Sequence, residues 1–301
     1  MKNRLSVSSF SLRRLLGPLR LTRRGPDGKK QAVAWGDQAA TMTLLDMPGR
    51  VRQELGLDAV EICQFHVPER TTAYLDELKG ALDDAAVSVV NMPIDVGNIS
   101  DPNEQHREED LAEIEDWIRA AAHLGSGMVR VNASAFGAEA LAPLEVTIAS
   151  YRRLADTAKS LGMQLLIENH GGITDDFDTI VRIVEAVGNG GLKTLVDVGN
   201  HPAIAPASLA MFQGKEPPEI DPTALYADLP KLMPYAGLVH AKAWRFHPDG
   251  RPEVFDVGRA LRVVRDAGYS GPISLENEGG GDDVWGDVRR TRGLVDRAFG
   301  S

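Results

Sequence analysis

The chain has 301 residues, 43% of them hydrophobic and 25% charged, an ordinary globular composition with enough apolar material for a large core. A formal net charge of -10 withholds the basic surface that a phosphate backbone requires, and no apolar run approaches membrane-spanning length, so neither nucleic acid nor membrane is an expected partner. Cys63 is the sole cysteine, which rules out an intrachain disulfide and makes a reducing, cytoplasmic compartment the expectation.

The segment from Met1 to Leu16 carries Lys2, Arg4, Arg13 and Arg14 among serines, superficially like a transit peptide. It lacks the apolar stretch of a signal peptide, and Leu5–Phe10 reads as a first strand instead. Seven more short apolar runs follow: Ala59–Phe65, Ser88–Pro93, Met128–Asn132, Gln164–Glu168, Lys193–Asp197, Gly237–Ala241 and Pro272–Glu276. Near-continuous Val/Ile/Leu runs suit parallel strands buried on both faces.

Helical periodicity fills the intervals. Leu111, Ile114, Ile118 and Ala121 form one stripe before Gly125. Ile148, Tyr151, Ala155 and Ala158 form another before Gly162, and Val257, Ala260, Leu261 and Val264 a third before Gly268. Eight strand–helix units predict an α/β fold of one domain over residues 1–301, a closed (β/α)8 TIM barrel; a doubly wound open sheet is disfavoured because no G-x-G-x-x-G follows the first strand. Two connections are long, Ser11 to Met47 and Asn200 to Leu229, both on the C-terminal side of a strand, where barrel enzymes build substrate loops. The Arg23–Lys30 stretch within the first reads equally well as a flexible surface excursion.

Four consecutive runs carry an ionisable residue at or next to their end: Glu168, Asp197, His240 and Glu276. Strand ends at one barrel rim converge, so three carboxylates and one imidazole meet. Without a cation they would repel strongly. One divalent ion resolves this, and oxygen-rich, thiolate-free ligation favours Mn²⁺ first, with Mg²⁺, Co²⁺ or Zn²⁺ as alternatives.

These residues resemble the xylose-isomerase-like superfamily of sugar phosphate isomerases and epimerases, which includes the ketose 3-epimerases and hydroxypyruvate isomerase. The resemblance implies metal ligation by Glu168, Asp197, His240 and Glu276, with Glu168 and Glu276 also serving as the catalytic acid/base pair. Isomerising or epimerising a sugar removes a proton from a carbon beside a carbonyl, and two Glu on nearly opposite sides can deprotonate one face and reprotonate the other through an enediolate. Departures from the ketose 3-epimerase pattern stand at Asn200, where a His is usual, and at His170-Gly171-Gly172-Ile173-Thr174, where a second Glu is usual. Arg245 is off by one from the expected Arg.

Strand period puts His170 on the face of Glu168, Lys242 on that of His240 and Glu278 on that of Glu276. His66, Arg130, His170, His201 and Lys242 are the candidate substrate-binding residues, with Asn132 and Trp244 beside them. Lys242 reads equally as a salt-bridge partner of Glu278, and Arg130 as a buried bridge between barrel carboxylates. His106, His123 and His247 read as surface histidines. The leading expectation is a metal-dependent isomerase or epimerase of a sugar, sugar acid or polyol ketone, with room for a homo-oligomer. A lyase of the inosose dehydratase or C-glycoside-cleaving kind, using the same site, is the alternative. Cleavage of damaged DNA on this fold is opposed by the acidic charge, and a non-catalytic barrel by the intact ligand set.

Overall fold

A computed structural model describes residues 3–25, 27–135, 138 and 140–300. Ten strands occur among them: β1 (Leu5–Ser8), β2 (Leu19–Arg24), β3 (Lys30–Trp35), β4 (Ala59–Glu61), β5 (Ser88–Ile94), β6 (Met128–Val131), β7 (Gln164–Glu168), β8 (Leu192–Asp197), β9 (Ala236–Ala243) and β10 (Ile273–Asn277). Eight of them close into a parallel barrel in the order β1-β10-β9-β8-β7-β6-β5-β4. Each expected apolar run supplies one barrel strand, and helices cover the outside, as a (β/α)8 TIM barrel requires.

The boundaries differ where a side chain captures the backbone. The first strand stops at Ser8 rather than Phe10, because Ser8 Oγ accepts the Phe10 N–H and starts a 3-10 turn. The second stops at Glu61, and Gln64–His66 forms a short 3-10 turn of its own. All three helical stripes face inward: Leu111, Ile114, Ile118 and Ala121 are buried, as are Tyr151, Ala155 and Ala158, and Val257, Ala260, Leu261 and Val264. Gly125, Gly162 and Gly268 sit in left-handed conformation after their helices.

The long connection after β1 holds an unanticipated element, the antiparallel β2–β3 hairpin. Arg24 and Lys30 flank its turn and pair with Glu109, Asp110 and Glu113 of the helix Glu104–His123, so the described part of Arg23–Lys30 is docked on that helix. Met1, Lys2 and Pro26 lie outside the described residues. The hairpin also meets the other long connection, since Trp35 stacks on Phe212 of the helix Ala205–Phe212 with ring centres 5.2 Å apart. Among the described residues no helix is long and apolar enough to cross a membrane.

Candidate functional site

A two-residue side-chain period builds the site from the barrel floor upward. It puts Leu166 with Glu168 on one face of β7, Leu195 with Asp197 on one face of β8, and Leu238 with His240 and Lys242 on one face of β9. Leu166, Leu195 and Leu238 are fully buried and pack together with Met128 into an apolar plug. One step toward the strands' C-terminal ends, the same faces turn ionisable.

Above the plug, ligand atoms of Glu168, Asp197 and His240 all lie within 4.8 Å of one another. The three residues are at most 1% exposed. His240 presents Nδ1 to this cluster, 3.8 Å from Asp197 Oδ2 and 3.9 Å from Glu168 Oε1. Glu276 stands alongside, its Oε2 3.2 Å from the same Nδ1.

Asp197 is fixed by its backbone. Asn169 accepts the Asp197 N–H at 2.9 Å and donates to the Asp197 carbonyl at 2.8 Å, while Asp197 Oδ1 accepts the Gly199 N–H. Glycine is needed at 199, since a Cβ there would come within 2.9 Å of both Trp244 and Lys242. Lys242 Nζ takes up the other oxygen of Asp197 at 2.9 Å and also reaches Glu276 Oε2 at 3.3 Å and Glu278 Oε1 at 2.9 Å. Asn200 links the two sides, accepting from Lys242 and donating to Glu168 Oε1 at 3.2 Å.

Arg130, on β6, closes the opposite flank. Its two terminal nitrogens hold both oxygens of Asp95, at 2.5 and 3.3 Å, and its Nε lies 2.9 Å from Glu168 Oε2. Asn132 donates to Asp95 Oδ1 at 2.9 Å.

Burial and these neighbours set the protonation tendencies. Burial pushes the Glu168 carboxyl up, against the pull of Arg130, His170 and His240. Glu276 goes the other way: His240 and Lys242 outweigh its burial and hold it well below the usual carboxylate range. Burial disfavours the charged forms of His240 and Lys242, yet Glu61 and Glu276 hold the imidazole well above its ordinary value, and Asp197, Glu278 and Glu276 do the same for the ammonium. Asp95 is half-buried, and although desolvation pushes its carboxyl up, Arg130 keeps it ionised to lower pH than usual.

The remaining candidates divide. His170 is half-buried and near enough for its charge to bear on Asp95 and Glu168. His66 is buried, with Nδ1 2.8 Å from Ser9 Oγ and Nε2 without a partner. Burial, reinforced by Arg13 and Arg20, pushes this imidazole down to about 3. Its neighbour Cys63 donates its N–H to Ser9 Oγ and is itself buried, which pushes the thiol up to about 12. His201 stands apart, paired with Asp228 at 3.2 Å and edge-on to Phe177. Trp244 is buried against Phe255 and Arg245 is tied to Glu253 and Glu216. His247 is exposed, while His106 and His123 are half-buried beside Asp101 and Asp76.

Two members of the cluster escaped the sequence reading. Glu61 is fully buried on β4, and its Oε1 lies 2.9 Å from His240 Nε2. The signal was there: an acid inside an apolar strand must be paired if it is buried. Asp95 follows directly on the third run, just past the boundary drawn at Pro93.

The donor set fits a divalent cation. Two carboxylates and an imidazole converge where water is excluded, and Glu168 Oε2 and Asp197 Oδ2 accept no aligned hydrogen bond despite the short approach of Arg130 and Lys242. Oxygen and nitrogen donors of this kind suit Mn²⁺, Mg²⁺, Co²⁺ or Zn²⁺.

A profile of the family described as xylose isomerase-like TIM barrel matches residues 50–292. No curated protein matches the sequence. Among solved structures, 3-keto-D-glucoside 4-epimerase from E. coli superposes with a TM-score of 0.67 at 15% identity, covering 98% of this chain and 100% of that one. L-ribulose 3-epimerase gives 0.67 at 13% identity over 100% of this chain and 95% of its own. A xylose isomerase-like TIM barrel protein from Mycobacterium smegmatis, in complex with magnesium, gives 0.63 at 16% identity over 99% and 97%.

Proposed function

This chain belongs to the xylose isomerase-like TIM-barrel family, and from that premise we propose that it is a divalent-metal-dependent isomerase or epimerase of a sugar, sugar acid or related polyol ketone. The observation that carries the reading is the buried convergence of Glu168, Asp197 and His240, with Glu276 at its side. Those four residues would hold the ion, Mn²⁺ in first place. When bound, such an ion supplies Lewis acidity toward the substrate's carbonyl.

The protein's own groups account for the rest. Glu168, with its affinity for a proton raised by burial, is suited to take one from the carbon beside the carbonyl. Glu276, kept anionic by His240 and Lys242, is the second carboxylate of the pair. Asn200 and Arg130 orient Glu168 from two sides. His66, His170, Lys242 and Arg130 are the proposed substrate contacts, and His201 joins them only if its pairing with Asp228 opens. The sugar epimerases that share this fold support a small carbohydrate as the substrate.

A second reading, a lyase or dehydratase, draws support from Lys242. Its ammonium, held among Asp197, Glu276 and Glu278, is a fixed positive charge able to stabilise the negative charge on a departing group. A panel of keto-sugars and inososes incubated with Mn²⁺ tests the proposal. Turnover of at least one member, abolished by a chelator, is the expected result; turnover indifferent to the chelator would overturn it.

A further inference from the structure

We propose that Glu61 is a positioning residue for His240, holding a proton on Nε2 so that Nδ1 is the nitrogen left to a cation shared with Glu168 and Asp197. The inference rests on the reading that His240 ligates a cation.

Glu61 lies on β4, across the barrel from β9, and is fully buried. Its Oε2 is occupied by Asn91 Nδ2 at 2.6 Å. Its Oε1 is 2.9 Å from His240 Nε2, and although the contact is not aligned as a hydrogen bond, neither atom has another partner. Each is therefore what the other has available. Among the described residues no other cationic or imidazole group pairs with Glu61, so its burial is compensated by His240 and Asn91 alone.

The imidazole is thus addressed from both ends. Nδ1 looks at Asp197, Glu168 and Glu276, and Nε2 looks at Glu61. A neutral imidazole carries one N–H, and the hydrogen bond made by one nitrogen decides which nitrogen is left to ligate. Nδ1 itself hydrogen-bonds Glu276 Oε2 at 3.2 Å; when a cation takes the place of that proton, the carboxylate at Nε2 keeps the remaining proton there and makes Nδ1 a better donor. The charge on Glu61 acts through His240 and touches neither ion nor substrate.

The test uses the full-length, metal-stripped protein and Mn²⁺ alone, titrated calorimetrically into wild type, Glu61→Gln, Glu61→Leu and Asp197→Ala. Wild type should bind, and Asp197→Ala should not. Loss of an outer carboxylate typically weakens metal affinity about 10–100-fold, and Glu61→Leu should fall in that range, with Glu61→Gln, still able to accept, in between. Nitrogen-15 spectra of the Zn²⁺-loaded wild type should place the His240 proton on Nε2. Wild-type affinity in a folded Glu61→Leu, or a proton on Nδ1, overturns the inference while leaving the metal reading intact. Absence of binding by wild type sinks the metal reading and this inference together. Should Glu61→Leu not fold, Glu61→Gln and the wild-type spectrum decide: undiminished Mn²⁺ affinity in Glu61→Gln counts against the proposal.

Discussion

Arg130 Nε stands 2.9 Å from Glu168 Oε2 while the far end of the same guanidinium clasps Asp95. One buried cation thus serves two carboxylates, buried Glu168 and half-buried Asp95. Removing one partner of a buried ion pair typically costs about 3–5 kcal/mol, because the remaining charges lose their compensation. Arg130→Met should lose stability of that order in urea unfolding of the metal-free protein. A variant as stable as wild type would mean that Asp95 and Glu168 do not depend on it.

Metal content is the simplest check on the centre. Purified protein should hold about one divalent ion per chain, as expected for a single convergent ligand set. Asp197→Ala and His240→Ala should each lose it by elemental analysis after dialysis. Full occupancy in both variants would show that the ion sits elsewhere.

Glu168→Gln and Glu276→Gln keep the shape of each side chain and remove its ability to carry a proton. Turnover should fall by about 10²–10⁴-fold in each, the usual contribution of a general acid or base, with disturbance of the metal adding to it. The comparison requires that metal content be measured alongside. Near-normal turnover in both would exclude them as proton carriers.

Solvent deuterium separates the two enzyme readings. In deuterated buffer an isomerase or epimerase returns a proton to carbon and yields a product of equal mass apart from label. A lyase yields an unsaturated ketone with a mass deficit and new ultraviolet absorbance. The expected outcome is the first, because Glu168 and Glu276 provide a carboxylate for each transfer. An active substrate that gives only eliminated product overturns it and turns attention to Lys242 and His170.

His66 links stability to acidity. Its imidazole is held down to about 3 in the folded chain, against an ordinary value near 6.5. Between those two values the unfolded chain binds the extra proton, so stability falls as pH drops through the window and is fully present above it. The slope attributable to one such group is at most about 1.4 kcal/mol per pH unit. His66→Gln should flatten the pH dependence of urea unfolding between roughly pH 6 and 4. An unchanged slope would show that His66 does not titrate differently in the two states.

The barrel was legible because buried parallel strands leave nothing but apolar runs, and each run ended where the rim began. Glu168, Asp197 and His240 were legible for the same reason: each breaks an apolar run at or next to its last position. The β2–β3 hairpin left no such trace, since β3 is exposed almost throughout and so has no buried face to impose a period. Glu61 was hidden by its position inside a run, between Val60 and Ile62, where nothing local says which partner neutralises it. That partner, His240, is far along the chain and arrives only when the barrel closes. Asn200, read as a departure from a family pattern, takes its place as the bridge between Lys242 and Glu168.

The lone thiol of Cys63 lies where β1 and β4 meet, 3.7 Å from Ser8 Oγ, and its proton is held up to about pH 12. A thiol in that condition is neither nucleophile nor redox sensor, because the reactive thiolate is absent and no reagent reaches it. Electrophiles and oxidants must wait for that edge of the barrel to part. The folded chain therefore carries its own opening probe: alkylation of Cys63 reports the opening rate where the reagent outpaces reclosing, and the population of the open form where it does not.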